Sequence, residues 1–513
     1  MHFISTRGEE KVTGAQAIVQ GLAKNGGLFV PETLPMITNE EIQAMEDMSY
    51  PERAAFILNK FFGEELGADY LLESCEKAYS AFEGGDPVPL VKVDGETGLY
   101  VLELFHGPTC AFKDMSLSLL PYLLKKSCEV AGVKEDILLL TATSGDTGKA
   151  TMENFRDVKG VKVAVFYPDE GVAKMQRLQI STQTGNNVIV SAVEGSFDDC
   201  QRNVKNLFVS QEFNEALAKK NLRLSSANSI NFGRIAPEIA YYFSAYADML
   251  SSRQIDMGEK IDFVVQAGNF SGVLAGWYAK KMGLPIRKIA CASNRNKAVA
   301  DFFKKGVYDV KREVSRTMSP SLDVAVASNL ERLIFEISGR NAGVTEKRMQ
   351  ELAEKKEYSV TAEEKSKLDA DFFAGFARED DVVEAMYEIF DEFGYAMDTH
   401  TGVALAIYMQ YKEYLYKQDK KDRTPTVVLA TANPYKFPQD VLYALSGNDV
   451  KDSFKGVKRL QLLTAMKPPK CLMELRYRTP RFKIKVKNDT KAMAEVVMRL
   501  ADGEIVPVPA DKQ

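Results

Sequence analysis

The sequence is poor in histidine and has no closely spaced cysteine pairs. It contains only three histidines (His2, His106 and His400), and its six cysteines are far apart, with no CxxC pair. So few histidines nearly exclude a histidine-based metal site, and we predict that no metal is bound. The cysteine spacing predicts free thiols in a reducing compartment, and it argues against a disulfide framework or a zinc ribbon.

The sequence also lacks a long apolar run and an excess of positive charge. No stretch reaches the roughly 18 apolar residues of a membrane span, and the N-terminal MHFISTRGEEKVTG has no apolar core typical of a secretory signal. Lysine and arginine total 66 against 71 aspartates and glutamates, which gives a net charge of −5. We therefore expect a cytoplasmic enzyme that binds neither nucleic acid nor a membrane.

Short apolar runs alternate with helical segments from about Leu99 onward. Several runs are rich in valine and isoleucine and follow charged residues or Gly/Pro breaks, as buried parallel strands do. Repeated strand–helix units predict an α/β fold with doubly wound, mostly parallel sheets. The predicted strands are Ile137–Thr141, Val161–Tyr167, Asn187–Val190, Phe263–Ala267, Ile286–Cys291 and Thr426–Ala430.

Changes in composition divide the 513 residues into three predicted parts. Residues 1–95 predict a mostly helical N-terminal domain. Residues 96–450 predict an α/β region of two lobes, with a charged helical insertion at about 341–395. Residues 451–513 predict a basic, irregular C-terminal extension, interpreted as a surface strand or tail, to which the sequence assigns no function.

The first loop of interest is TATSGDTGKA, at Thr141–Ala150. It directly follows a predicted strand and precedes a helix start, where exposed backbone N–H groups bind anions. A nucleotide-binding P-loop fails here, because Thr143 replaces its first glycine and Ala150 replaces its Ser/Thr. By pattern alone, a plain strand-to-helix turn is an equally good interpretation.

A second loop, QAGNFSGVLAG, follows the strand that ends near Val265. Gly268 and Gly272 let the backbone close around a phosphate, and Asn269 and Ser271 add side-chain donors. The dinucleotide fingerprint GxGxxG is absent. Taken alone, this loop is as compatible with a structural turn as with a phosphate site.

Two single residues complete the candidate site. Thr431, in LATANPYKFP, stands at a strand end, where its hydroxyl could reach a ligand ring or only cap a turn. Lys113, in HGPTCAFKDMS, lies between an aromatic residue and a helix start. Partial burial there would free its amine for Schiff-base chemistry, whereas the alternative is a surface lysine. Together the four stretches match the needs of pyridoxal 5′-phosphate: a lysine, a phosphate cradle and a partner for the ring nitrogen.

Ordered blocks over most of the chain resemble the threonine synthase family, in its fungal and bacterial branch. The chain departs from the family pattern at Ser271, Thr399 and Asn433, and in its basic C-terminal part. The similar blocks are STRG (5–8), GLAKNGGLFVPE (21–32), HGPTCAFKDMS (106–116), SGDTG (144–148), SANSINFGRI (226–235), GNFSG (268–272), ASNRNK (292–297), SPSLDVAVASNLERL (319–333), DTHTGVA (398–404) and TANPYKF (431–437).

The resemblance implies a pyridoxal-phosphate enzyme of fold type II, related to the tryptophan synthase β family. It implies that Lys113 holds the cofactor, that Thr431 faces the ring nitrogen, and that O-phospho-L-homoserine and water give L-threonine and phosphate. The implied cofactor-phosphate loop is Gly268, Asn269, Phe270, Ser271 and Gly272. The implied substrate-binding residues are Thr143, Ser144, Gly145, Asp146 and Thr147.

Three other functions remain open from the sequence. The enzyme could stop after elimination and release 2-oxobutyrate as a phospho-lyase. The chain could instead be a non-catalytic homologue that binds the cofactor, although an intact Lys113 counts against this. A nucleotide-binding transferase is weakened by the failed P-loop pattern. The sequence also leaves open whether the protein is a monomer or a homodimer.

Overall fold

The protein was analysed as a computed structural model, which describes residues 1–511. Its N-terminal part packs helices on a small antiparallel sheet of order β2-β1-β3. The sequence did not reveal this sheet, because strands of three or four residues are too short to display an alternating pattern. The elements are β1 (His2–Ser5), β2 (Lys11–Thr13), α1 (Gly14–Gln20), β3 (Phe29–Pro31), α2 (Asn39–Ala44), α3 (Tyr50–Leu66) and α4 (Ala68–Tyr79).

The next part of the chain alternates strands and helices. The buried strands are nearly continuous apolar runs, such as DILLLTA at Asp136–Ala142, because helices cover both faces of a parallel sheet. The elements are β4 (Leu90–Asp94), β5 (Leu99–Glu103), α5 (Asp114–Leu117), α6 (Leu120–Val130), β6 (Asp136–Ala142), α7 (Asp146–Asn154), β7 (Val161–Pro168), α8 (Lys174–Ser181), β8 (Val188–Glu194), α9 (Phe197–Val209), α10 (Gln211–Ala218), β9 (Leu222–Ser225), α11 (Phe232–Ser251), β10 (Ile261–Gln266), α12 (Ser271–Lys281), β11 (Ile286–Ser293), α13 (Ala298–Lys305) and β12 (Val307–Asp309).

The remaining elements follow without a long irregular stretch. Short 3₁₀ turns lie at Met45–Asp47, Pro320–Leu322, Pro434–Lys436 and Glu474–Arg476. The helices and strands are α14 (Leu330–Ile337), α15 (Ala342–Lys355), β13 (Glu357–Ser359), α16 (Ala362–Asp371), β14 (Phe372–Phe376), α17 (Glu379–Phe393), α18 (Thr399–Gln418), β15 (Thr426–Ala430), α19 (Pro438–Ser446), α20 (Ser453–Thr464), α21 (Lys470–Met473), β16 (Ile484–Lys487) and α22 (Thr490–Ala501).

Two sheets dominate the fold. The six-stranded sheet has the order β14-β11-β10-β15-β5-β4, and its strands are parallel except for the edge strand β4. The five-stranded sheet has the order β16-β8-β7-β6-β9 and is fully parallel. The predicted α/β class with mostly parallel sheets is therefore confirmed, and each of the six predicted strands overlaps an observed one.

Two segments differ from their expected character. The stretch at 341–395, predicted as a helical insertion, also supplies β13 and the edge strand β14, which pairs in parallel with β11. The stretch after residue 450, predicted to be a basic surface strand or tail, contains helices and the strand β16, which pairs with β8. The sequence of β14, FFAGF, has no period-2 alternation, whereas that of β16, IKVK, alternates apolar and charged residues as a surface strand does. The domain boundaries at 95 and 450 remain predictions.

Arg332 ties the N-terminal sheet to the α/β part. Its fully buried guanidinium donates to the carbonyl oxygens of Phe29 (2.9 Å), Ser229 (3.0 Å) and Ile230 (2.6 Å). Burial lowers the pKa of Arg332 to about 10, so the group remains a cation at neutral pH. A methionine in its place would leave three buried acceptors without a donor.

No helix within residues 1–511 has the length and apolar character that crossing a membrane requires. Over the same residues, no group of three or more His, Cys, Asp or Glu side chains is arranged to hold a metal ion.

We predict that Arg332→Met lowers the free energy of unfolding by about 3–5 kcal/mol, because three buried carbonyl oxygens lose their donor. Urea unfolding followed by circular dichroism measures the change. Arg312→Met is the matched control, because Arg312 is 53% exposed and pairs with Asp301 at the surface. It should cost less than about 1 kcal/mol. Equal losses in both variants would contradict the anchoring role of Arg332.

Candidate active site

Four loops meet at the carboxyl ends of strands from both large sheets. They follow β6 in the five-stranded sheet, and β5, β10 and β15 in the six-stranded sheet. A cavity opens between these loops, at the strand ends where ligands of α/β proteins bind. Its lining includes Lys113, Ser144, Asn269 and Thr431, so the structure brings the four sequence-derived stretches together.

Lys113 lies at the floor of this cavity. Its side chain is 12% exposed, and its Nζ lies 4.3 Å from the centroid of the Phe112 ring and 3.5 Å from Asp146 Oδ2. Burial lowers the pKa of the Lys113 amine, the positive charges of Lys436 and Arg234 lower it further, and Asp146 opposes the shift. The amine is thus the sheltered, easily deprotonated group that Schiff-base chemistry requires.

Asp114 fixes the backbone that presents Lys113. It accepts hydrogen bonds from the backbone N–H and the hydroxyl of Thr109, both at 2.8 Å. Burial raises the pKa of Asp114 to about 6, although both hydrogen bonds act to lower it. The loop is also attached to the end of β15, because the Phe112 N–H donates to the Thr431 carbonyl at 2.9 Å.

A buried ion pair connects the two sheets beside Lys113. Lys436 is fully buried, and its Nζ lies 2.7 Å from Asp146 Oδ1 and donates to the Thr109 carbonyl at 3.0 Å. Gln176 donates a further hydrogen bond to Asp146 at 2.7 Å. Burial opposes both charges, yet Lys436 and Lys113 hold the pKa of Asp146 below its usual range, and Asp146 holds the pKa of Lys436 above its own.

The loop between β6 and α7 has a conformation that requires glycine. Gly145 has φ +147°, and a Cβ there would lie 2.7 Å from the Gln176 side chain. The Thr143 hydroxyl accepts hydrogen bonds from the N–H groups of Gly145 and Gly148, both at 2.9 Å. Thr143 therefore shapes the loop, and Asp146 turns toward Lys436. Half-buried Ser144 and the first N–H groups of α7 remain to face a ligand.

The loop between β10 and α12 also has left-handed residues, Gly268 at φ +42° and Phe270 at φ +70°. The Asn269 side chain is used internally, since it accepts from the Ser271 N–H and donates to Ser229. The Phe270 ring is fully buried and stacks on Phe303, so only its backbone can contact a ligand. Because α12 begins at Ser271, its first-turn N–H groups can bind an anion such as phosphate.

Sequence reasoning missed His400. Its Nδ1 lies 2.7 Å from Asp398, and its Nε2 accepts a hydrogen bond from the Ser321 N–H at 3.1 Å, so the ring carries its proton on Nδ1. The adjacent Thr399, which departs from the family pattern, donates its hydroxyl to the Met318 carbonyl. His400 lines the cavity, and the block DTHTGVA was the signal that could have identified it.

Lys436 and Gln176 were missed for different reasons. Lys436 lies in the block TANPYKF, where the sequence drew attention to Thr431 alone. Asn433, another departure from the family pattern, accepts from the Tyr435 N–H and so stabilises the turn that presents Lys436. Gln176 lies in α8, outside the blocks quoted above, and only the fold brings it to Asp146.

The cavity fits pyridoxal 5′-phosphate. Lys113 can hold the aldehyde, the start of α12 can bind the phosphate, and Thr431, which carries a hydroxyl, lines the cavity. Two buried polar atoms on the lining, Tyr241 Oη and Gln266 Oε1, have no hydrogen-bond partner among residues 1–511. Together with the fold, these features define a pyridoxal-phosphate-dependent enzyme of fold type II.

Family models identify the family. The model "Pyridoxal-phosphate dependent enzyme" matches residues 81–360. The models "Threonine synthase N terminus" and "Threonine synthase, C-terminal" match residues 2–79 and 403–497. The chain belongs to the threonine synthase family, and its predicted cofactor, pyridoxal phosphate, is confirmed.

Individual relatives agree with this assignment. The chain is 34% identical to a threonine synthase of Pseudomonas aeruginosa, over 86% of this chain and 90% of that one. It is 34% identical to human threonine synthase-like 1, over 88% of this chain but only 62% of that longer protein. A crystal structure of pyridoxal-phosphate-bound threonine synthase from Brucella melitensis superposes with a TM-score of 0.83 at 33% identity, covering 98% of this chain and 99% of that one.

We predict that Lys436→Met lowers stability in a pH-dependent way. Without the cation, burial should raise the pKa of Asp146 above its unfolded value of about 4. An acid whose folded pKa is raised loses stability as pH increases through its unfolded pKa. The Tm of the variant, relative to the unmodified protein, should therefore fall between about pH 4 and about pH 8.

The double variant Lys436→Met/Asp146→Asn is the matched control, because it has no charge at either position. Its Tm should show no additional decrease with pH. Differential scanning calorimetry of the single and double variants measures both slopes. If the Tm falls equally with pH in the two variants, Lys436 does not compensate the charge of the Asp146 carboxylate.

Proposed function

We propose that this protein converts O-phospho-L-homoserine and water to L-threonine and phosphate. The observation that supports this reaction best is the position of Lys113 between two helix starts that can each bind an anion, α7 and α12. The reaction needs this arrangement, because the cofactor and the substrate are both anionic and must both meet one amine.

Lys113 performs the proton transfers. When bound, the cofactor supplies an electron sink for the charge that remains when the substrate loses its α proton. The lowered pKa leaves the Lys113 amine free to act as a general base at the α and β carbons and then to return a proton as a general acid. Water adds at the β carbon after the phosphate has left.

The loop before α7 binds the carboxylate of the substrate. Asp146 would repel that group if its charge were free, but Lys436 neutralises it at 2.7 Å. Gly145, Ser144 and Thr147 then offer N–H groups and hydroxyls near the positive end of the α7 dipole. We expect Thr143 to act by shaping this loop, because its hydroxyl already accepts two backbone hydrogen bonds.

The Gly268–Gly272 loop would hold the cofactor phosphate, and the Thr431 hydroxyl would face the pyridine nitrogen. Because a neutral hydroxyl does not keep that nitrogen protonated as a carboxylate would, Thr431 would moderate the electron sink that the cofactor supplies.

Product analysis with O-phospho-L-homoserine tests the proposed reaction. In ¹⁸O-labelled water we expect threonine with the label in its β-hydroxyl, and in deuterated water we expect deuterium at the α and γ carbons. Lys113→Ala should lose about a hundredfold to ten-thousandfold in rate. It should still bind cofactor through the Gly268–Gly272 loop. If 2-oxobutyrate is the main product, the proposed reaction is wrong and the protein is a phospho-lyase.

Three substitutions at Thr431 test its contact with the ring nitrogen. Thr431→Ser keeps the hydroxyl and should be mild. Thr431→Val leaves the nitrogen unpaired, which typically costs about 1–3 kcal/mol, so activity should fall roughly tenfold to a hundredfold. Thr431→Asp should favour a protonated ring and divert flux to side products. Absorption spectra, product ratios and Tm are measured, and unchanged spectra in both the Val and Asp variants would remove Thr431 from the site.

A further inference from the structure

Cys110 and Cys471 are 361 residues apart in the chain but touch in the fold. Their Sγ atoms lie 3.3 Å apart, within hydrogen-bond distance for thiols. A disulfide has an S–S length of about 2.05 Å, so the two atoms need to approach by only about 1.3 Å to bond. Cys110 is buried, whereas Cys471 is half-buried at the start of α21 and therefore more open to a small reagent.

The surroundings of Cys471 favour a thiolate. The hydrogen bond with Cys110 lowers the pKa of Cys471, and the positive charges of Lys149 and Lys436 lower it further. All four cysteines outside this pair show the opposite shift, since burial raises the pKa of Cys128 to about 11 and of Cys200 to about 12, and also raises the pKa values of Cys75 and Cys291. A thiolate in contact with a second thiol is the arrangement that reacts with an oxidant and then closes a disulfide.

We propose that Cys110 and Cys471 form a reversible thiol–disulfide site that takes a small hydroperoxide as its oxidant. The Cys471 thiolate attacks one peroxide oxygen. An S–O bond forms, the O–O bond breaks, and the departing hydroxide leaves as water after taking a proton. The Cys110 sulfur then attacks the Cys471 sulfur. The S–S bond forms, the S–O bond breaks, and a second water leaves with the Cys110 proton. Two thiols are oxidised by two electrons, and one hydrogen peroxide is reduced to two waters.

The disulfide would link the C-terminal segment covalently to the loop that carries Lys113. Cys110 lies three residues before Lys113, and its carbonyl accepts a hydrogen bond from the Asn433 N–H at 3.1 Å. The loop that contains Cys110 is therefore hydrogen-bonded to the segment that follows β15. Cys471 belongs to a segment that Leu472 and Leu475 anchor in the same apolar core. Because the bond would close a loop of about 360 residues, it should restrict the unfolded chain strongly.

Mild hydrogen peroxide treatment of the cofactor-loaded protein tests the site. Peptide mass spectrometry under non-reducing conditions should find the Cys110–Cys471 cross-link as the main product. The oxidised protein should unfold at a Tm higher by about 2–5 °C, and dithiothreitol should reverse both changes. These measurements do not depend on which reaction the enzyme catalyses, so their outcome is separate from that of the proposed function.

Single substitutions provide the controls. Cys110→Ser and Cys471→Ser should each abolish the cross-link and the Tm increase. Cys110→Ala replaces the first variant if serine disturbs the buried position. Cys128→Ser is the matched control, because Cys128 is also half-buried, and it should behave as the unmodified protein. Oxidation of Cys471 to a sulfinic acid without a cross-link, or a Tm increase that persists in Cys471→Ser, would overturn the proposal.

Discussion

The buried ion pair between Asp146 and Lys436 is the interaction on which the architecture of the site depends. Asp146 begins the helix after β6, in the five-stranded sheet, and Lys436 lies in the turn after β15, in the six-stranded sheet. Burying either charged group without the other would carry a large desolvation penalty. Together, with Gln176 and the Thr109 carbonyl, they are satisfied, and the carboxyl ends of the two sheets are held at a fixed distance.

The same pair sets the electrostatics of the reactive amine. Lys436 adds a positive charge near Lys113 and helps burial to lower its pKa, while Asp146 limits that shift. Because Asp146 is compensated, the start of α7 keeps a positive potential that suits a carboxylate. The polar environment thus gives one lysine a reactive neutral form and leaves the adjacent loop free for an anionic ligand.

Prediction from the sequence succeeded where one local pattern was enough. The six strand runs were visible because strands covered on both faces are almost purely apolar, and Lys113 was visible through its motif. The edge strand β14 was missed because its sequence, FFAGF, does not alternate, whereas β16 lies in the stretch that was interpreted as a surface strand or tail. Asn269 and Thr143 line the cavity, as predicted, but their side chains also form hydrogen bonds within the protein, which no sequence pattern reveals.

The sequence alone determined the α/β class, three of the four loops at strand ends, the cofactor and the family. Strands and loops depend on residues that are close together in the chain, and the family was recognised from local motifs in a fixed order. Only the tertiary structure decided which distant groups meet. Asp146 and Lys436 are 290 residues apart, Cys110 and Cys471 are 361 apart, and His400 lines the cavity and accepts a hydrogen bond from the distant Ser321 N–H. Such contacts depend on how two sheets pack, and that packing is fixed by the burial of the whole core rather than by any one segment.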